Sequence, residues 1–200
     1  VYMTGVGTLK TDGNETVDCA GLSYTGAMTI FNVRKFQIEN SVLMNNQTED
    51  ALNVYKSNVE AKSIRIEGSA SDAFDCDYCV FKGNNLLLRN NLGDGLDISG
   101  TLAFVENSNM DHQSDKNISV GENSRAFVVH SVLNESHYGV AAKDSSFLSL
   151  NDVTIQHNEI GIGTYVKKAY YLPPQVEVGG KNKIADNGEN EKFEGYKPVK

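Results

Sequence analysis

The 200-residue sequence predicts an all-β fold, a right-handed parallel β-helix in which the chain winds through stacked coils of 22 residues. Three observations predict it: a repeat of this length, apolar residues at every second position within each repeat, and columns of small or polar residues at the bends. The segments that share one register begin 22 residues apart and are Asp50–Val54, Asp72–Cys76, Asp94–Ile98, Lys116–Val120, Tyr138–Ala142 and Ile160–Thr164. A single coil cannot bury its apolar side chains, so the coils must stack.

Two apolar columns run through these repeats and form the expected core. The first contains Leu52, Phe74, Leu96, Ile118, Val140 and Ile162, and the second contains Val54, Cys76, Ile98, Val120, Ala142 and Thr164. Because a period of two is typical of β-strands, both columns should face inward. A third column predicts another strand in each coil and contains Met44, Ile66, Leu88, Met110, Val132 and Thr154.

Polar and small residues mark the expected bends. The polar column contains Asn46, Gly68, Asn90, His112, Asn134 and Gln156. The small column contains Ala51, Ala73, Gly95, Asn117, Gly139 and Gly161, which indicates either a crowded backbone or a positive φ.

These columns place the whole chain, residues 1–200, in one domain. Irregular coils are expected over residues 1–45, where Ile30 extends the first apolar column, and regular coils over residues 46–165. A loop over Val166–Pro174, a last coil and a C-terminal cap are expected over residues 166–200.

Composition limits the classes of partner. The 26 acidic and 18 basic side chains give a net charge of −8, which disfavours nucleic acid. No apolar run approaches the roughly 20 residues that cross a bilayer, so membrane insertion is not expected. The three cysteines, Cys19, Cys76 and Cys79, are an odd number and argue against a disulfide framework.

The repeats resemble those of the pectate-lyase-like superfamily of right-handed parallel β-helices, over roughly residues 40–168. The segments that carry the resemblance are Asp94–Gly100, Ser119–Glu122, Gly139–Ser146 and Gly161–Lys168. Relatives with such runs are bacterial proteins that are secreted or attached to the cell surface, and as a class they have no assigned reaction. The resemblance therefore implies the fold and a secreted or cell-surface location.

Motifs of the superfamily's enzymes are missing from the sequence. A polygalacturonase-like site would require Asn-Thr-Asp, Asp-Asp, Gly-His-Gly and Arg-Ile-Lys elements. Pectate-lyase-like sites would require Trp-Ile-Asp-His and Arg-x-Pro-x-x-Arg elements, and alginate epimerases an Asp-Pro-His-Asp element. No catalytic residue can therefore be transferred from these enzymes, and the catalytic residues stay unknown.

An acidic group on one strand face is the main candidate site. With Phe74 and Cys76 inward, Asp75 and Asp77 face outward, and Asp97 lies beside Asp75 in the next coil. Strand geometry puts these three carboxylates within about 5 to 7 Å of one another. They form either a plain solvated ladder or a ligand site, and Ca²⁺ is the one cofactor that hard oxygen ligands of this kind suggest.

Two further residues extend this candidate binding face. Tyr55, one coil before Asp77, could serve as a platform for a sugar ring, and Lys143 could serve as the base of a lyase. Asp75 and Asp97 have the separation of a retaining glycosidase pair. A second acidic column, Asp50, Asp72 and Asp94, is interpreted as local capping of backbone N–H groups.

Three functions fit these features. The first is a non-catalytic, secreted or cell-surface β-helix that binds a polysaccharide or another envelope component through an exposed face. The second is a polysaccharide lyase, glycoside hydrolase or epimerase that uses the acidic group. The third is a structural spacer within a larger surface protein.

Overall fold

The computed structural model describes residues 1–6, 17–19 and 22–194, and this part of the chain contains strands and no helix. In chain order the strands are β1 (Tyr2–Thr4), β2 (Val17–Cys19), β3 (Leu22–Tyr24), β4 (Gly26–Phe31), β5 (Phe36–Met44), β6 (Asp50–Tyr55), β7 (Asn58–Glu67), β8 (Asp72–Asp77), β9 (Val80–Arg89), β10 (Leu96–Ser99), β11 (Leu102–Glu106), β12 (Asn109–Asp111), β13 (Lys116–Gly121), β14 (Arg125–Val129), β15 (Val132–Asn134), β16 (Tyr138–Lys143), β17 (Phe147–Asn151), β18 (Thr154–Gln156), β19 (Ile160–Tyr165), β20 (Gln175–Gly179), β21 (Lys183–Ile184) and β22 (Glu189–Phe193). Accordingly, none of the described segments offers a helix that could cross a membrane.

The strands stack in parallel and form two sheets. The eight-stranded sheet has the order β4-β6-β8-β10-β13-β16-β19-β22, with one strand from each coil. The other sheet has twelve strands, in which β5, β7 and β9 are long and the later coils are split into two shorter strands each. In proteins generally, crossovers between parallel strands of one sheet are right-handed in nearly all cases. With the strands stacked in parallel at about 22-residue spacing, the predicted right-handed parallel β-helix is confirmed.

The first two apolar columns are confirmed as the core. Leu96 pairs with Phe74 on one side and with Ile118 on the other, and all three are fully buried. Cys76 and Cys79 are both buried as free thiols. Ile30 is an exception, because it pairs with Val54 and so extends the second column rather than the first.

The third column is correct at its centre and wrong by one residue in the flanking coils. Ile66 pairs with Leu43 rather than Met44, and Met110 pairs with Leu133 rather than Val132. The next residue along this column is Ile155 rather than Thr154. A fixed step of 22 fails because corner lengths differ: the corner after β13 contains two left-handed residues, Glu122 and Asn123.

The polar bend column shows the same shift. Gly68, Asn90 and His112 have the positive φ that a sharp corner requires, with values of 72°, 56° and 56°. In the other coils the positive φ falls one residue away from Asn46, Asn134 and Gln156, at Asn45, Glu135 and His157.

Crowding, and not positive φ, explains the column of small residues. A Cβ atom on Gly95 would lie 2.6 Å from the carbonyl oxygen of Asn117, and one on Gly139 would lie 2.6 Å from that of Gly161. Neither glycine has a positive φ. A larger side chain at Gly95 or Gly139 would collide with the backbone of the next coil, whereas Asn117 in the same column directs its amide to the carbonyl oxygen of Asn134 at 3.1 Å.

Buried polar side chains satisfy backbone N–H groups at the corners. The Asn91 side chain accepts the N–H of Ser69 at 2.9 Å, and the Ser136 hydroxyl accepts that of Gln113 at 2.9 Å. The Thr101 hydroxyl accepts the N–H of Cys79 in the same way, also at 2.9 Å. Since unpaired buried N–H groups are costly, these ladders hold successive coils in register.

Candidate functional site

Carboxyl groups are concentrated on the outward side of the eight-stranded sheet. Asp75 pairs with Asp97 in the next coil, and Asp77 pairs with Tyr55 in the preceding one. The sheet thus brings together the side chains that the sequence predicts to be neighbours. We call this surface the acidic face, defined by Asp50, Asp72, Asp75, Asp77, Asp94 and Asp97.

The tightest carboxylate group differs from the predicted metal group. Asp72, Asp94 and Asp97 each place an oxygen within 4.8 Å of the other two. Asp97 belongs both to the predicted metal group and to the group observed in the structure, whereas Asp75 and Asp77 lie outside the observed group. Asp72 and Asp94 are there because they cap the next coil: Asp72 accepts the N–H of Asp94 at 2.6 Å, and Asp94 accepts that of Lys116 at 2.9 Å.

Two buried lysines cross the face from the C-terminal coils. The Nζ of Lys116 lies 3.3 Å from an Asp94 oxygen, and the Nζ of Lys143 lies 4.0 Å from an Asp97 oxygen. Lys143 lies flat on the sheet because the outward position beneath it is Gly121, where a Cβ atom would be 3.4 Å from the lysine Cε. The predicted base therefore reaches Asp97, two coils away.

Aromatic side chains fill the remaining outward space at the C-terminal end. A Cβ atom on Gly163 would lie 2.5 Å from the Tyr138 ring, which therefore lies directly over the sheet. Ser119 and Ala141, in the same outward column as Asp97, are fully buried. The C-terminal half of the outward side is thus covered, and the open part of the acidic face lies over β4, β6 and β8.

A groove of about 600 Å³ opens at this uncovered end. We call it the aromatic groove, and it is lined by Tyr24, Thr25, Thr29, Phe31, Glu49, Asp50, Asn53, Tyr55, Asp75 and Asp77. Phe31 stacks on Tyr55 with ring centroids 5.3 Å apart and an interplanar angle of 3°. The Phe31 side chain is 63% exposed, so the stack has a surface that a ligand can reach.

An amide links two carboxyl groups at the floor of the groove. The Nδ2 of Asn53 donates to Asp75 Oδ2 at 2.6 Å and to Asp50 Oδ2 at 3.2 Å. All three side chains are carried by neighbouring rigid strands, so their relative positions are fixed before any ligand arrives.

Burial and mutual repulsion raise the pKa of most of these acids. Burial, followed by the charges of Asp50 and Asp77, raises the pKa of Asp75 to about 10. Burial likewise raises the pKa of Asp72 to about 8, that of Asp50 to about 7 and that of Asp77 to about 6. At neutral pH the face therefore carries protonated carboxyl groups next to ionised ones, an arrangement typical of functional sites.

Phe31 is a site residue that was not predicted from the sequence. A repeat of 22 residues does not align Phe31 with Tyr55, because the step between β4 and β6 is 24 residues. The signal that could have found it is the alternation of Met28 and Ile30, which pair with Leu52 and Val54. With that offset Phe31 aligns with Tyr55.

No protein-family model matches the chain, and no curated protein matches it in sequence. Among solved structures, the A-module of the mannuronan C-5 epimerase AlgE4 from Azotobacter vinelandii is similar, with 12% identity, a TM-score of 0.42 and coverage of 82% of this chain and 56% of that one. The catalytic domain of a GH87 α-1,3-glucanase in complex with nigerose is similar with 9% identity, a TM-score of 0.36 and coverage of 80% and 46%. The chain thus spans about half the length of these structures. The fold assignment rests on the strand register of this chain itself.

Proposed function

We propose that this chain binds a polysaccharide through the aromatic groove and the adjoining acidic face. The observation that carries the proposal is the groove itself, in which the stacked rings of Phe31 and Tyr55 border carboxyl groups on a rigid sheet. Aromatic rings pack against the apolar faces of sugars, and carboxyl groups exchange hydrogen bonds with sugar hydroxyls. Both kinds of contact are available here without rearrangement.

The parallel sheet suits a chain-like ligand. Equivalent positions repeat about every 4.8 Å from coil to coil, so the open positions over β4, β6 and β8 are spaced to meet successive sugar units of a polymer lying along the solenoid. A polysaccharide or another envelope component is therefore the proposed partner. The proposal includes a secreted or cell-surface location, where such polymers occur.

A binding titration with one paired control tests this function. We expect Phe31→Ala to lower the affinity for a bound oligosaccharide at least tenfold, about 1.4 kcal/mol. The control is Phe104→Ala, which removes a stacked, partly exposed ring from the twelve-stranded sheet, where Phe104 lies 5.2 Å from Phe127. Equal losses in both variants, or no binding of neutral, acidic and amino-sugar oligosaccharides by the wild type, would refute the proposal.

A second candidate function, polysaccharide cleavage or epimerisation, is favoured by two neighbouring acids in different protonation states. With pKa values of about 10 and about 6, Asp75 is protonated and Asp77 is largely ionised at neutral pH. Acid and base roles in glycan chemistry are commonly divided in this way. If the chain is such an enzyme, Asp75→Asn should abolish turnover of the oligosaccharide even at saturating concentration. Undiminished turnover in that variant would remove Asp75 from the mechanism.

A further inference from the structure

The aromatic groove has an unbalanced charge. Its lining includes the acids Asp50, Asp75 and Asp77, of which Asp77, with a pKa of about 6, is ionised at neutral pH, and no Lys, Arg or His side chain is among the lining residues that the structure describes. The two buried lysines of the acidic face do not compensate, because Lys116 and Lys143 lie further along the solenoid beside Asp94 and Asp97. A polyanionic chain would therefore meet repulsion in the groove, whereas a cation would be attracted.

The aromatic stack also favours a positively charged ligand. The electron-rich faces of aromatic rings attract ammonium groups. One ammonium of the chain already uses this property, since the Nζ of Lys56 lies 5.1 Å from the centroid of the Tyr55 ring. Next to it, the exposed ring of Phe31 borders the same groove. Rings and carboxylates thus act together on a positively charged ligand.

We propose that the ligand of the aromatic groove is an amino-sugar polymer with free ammonium groups, and that uronate polymers are excluded. This inference rests on the proposed polysaccharide function and specifies its substrate class. The sugar rings would pack against Phe31, while the ammonium groups would lie near the carboxyl groups of Asp77 and Asp75.

Binding of such a ligand should release protons, chiefly from Asp50, whose pKa of about 7 lies close to neutral pH. The pKa values of Asp50 and Asp75 are raised by burial and by the negative charge of their neighbours. A positive charge placed among them favours the ionised forms and lowers both pKa values. Calorimetry in two buffers with different ionisation enthalpies would detect this release as a buffer-dependent heat.

Two hexasaccharides with the same backbone provide the test. Hexameric glucosamine and hexameric N-acetylglucosamine differ only in the group on C2, an ionisable amine in one and a neutral acetamide in the other, and hexameric galacturonic acid supplies the opposite charge. At about pH 6.5 we expect the glucosamine hexamer to bind at least tenfold more tightly than its acetylated form, with proton release, and the uronate hexamer not to bind. Raising the salt concentration should reduce this preference.

A charge-neutralising variant locates the effect. Asp77→Asn should reduce the preference for the glucosamine hexamer to less than threefold, whereas Glu106→Gln, on the exposed side of β11, should leave it unchanged. Equal binding of both hexamers, or tighter binding of the uronate hexamer, would overturn the inference while leaving a polysaccharide function intact. No binding of any hexamer would overturn both.

Discussion

Asp75→Asn should stabilise the protein at neutral pH. The pKa of Asp75 is raised from 3.8 to about 10, so across that range the folded state holds a proton that the unfolded state has lost. The stability of the wild type therefore falls as pH rises from about 4, by about 1.4 kcal/mol for each pH unit. Over the three units to pH 7 the upper limit is about 4 kcal/mol. Because the neighbouring acids share the effect, we expect a gain of about 2 to 4 kcal/mol from the substitution.

The substitution suits this purpose because asparagine keeps the shape of the side chain. Its Oδ1 can still accept the hydrogen bond that Asn53 donates to Asp75 at 2.6 Å. Urea unfolding at pH 4 and pH 7 measures the effect, with Glu106→Gln as a control for a solvent-exposed acid. The gain should be present at pH 7 and absent at pH 4, where the carboxyl group is neutral in both states. An equal change at both pH values, or a loss of stability at pH 7, would refute this reasoning.

Three other perturbations follow from the structure. Leu96→Asp places a charge in a fully buried position and should lower the free energy of unfolding, measured by denaturant titration, by more than about 4 kcal/mol. The control is Leu92→Asp, at a 69% exposed position, which should change this free energy by less than about 0.5 kcal/mol. Ca²⁺ is the cofactor predicted from the sequence, and its affinity should fall at least tenfold in Asp97→Asn. Asp97 belongs to the carboxylate group with Asp72 and Asp94, and it lies beside the buried, unpartnered hydroxyl of Ser119. Equal calorimetric titrations of wild type and variant would exclude this site. The Asp144 side chain accepts the backbone N–H groups of Lys167 and Lys168 at 2.7 and 2.9 Å, and Asp144→Ala removes this acceptor. Hydrogen exchange should therefore accelerate in the loop over 166–174. Unchanged protection would show that another contact holds the loop.

The core was predictable because it depends on local alternation within each coil. Leu52, Phe74 and Leu96 stand at equal spacing, and stacking of parallel strands converts that spacing directly into contact. The same logic placed Asp75 beside Asp97 and Tyr55 beside Asp77. Each prediction needed only the period and the side of the strand.

Corner length and side-chain reach were not predictable from the repeat. An additional residue at a corner shifts the following strand without altering the alternation, which is how Leu133 replaced Val132 in the core. Lys143 reaches Asp97 because Gly121 leaves room for its long side chain, and a column pattern contains no information about reach. The aromatic groove depends on both effects, since it opens where the corner offset aligns Phe31 with Tyr55.

The most direct test of a ligand site in the aromatic groove is a map of backbone amide chemical shifts during titration with the glucosamine hexamer. The 21.9 kDa chain is small enough for such spectra. We predict that the shifts cluster at Phe31, Tyr55 and Asp77 and leave Phe104 and Glu106 unchanged. Shifts concentrated on the twelve-stranded sheet, or none at saturating ligand, would contradict the account.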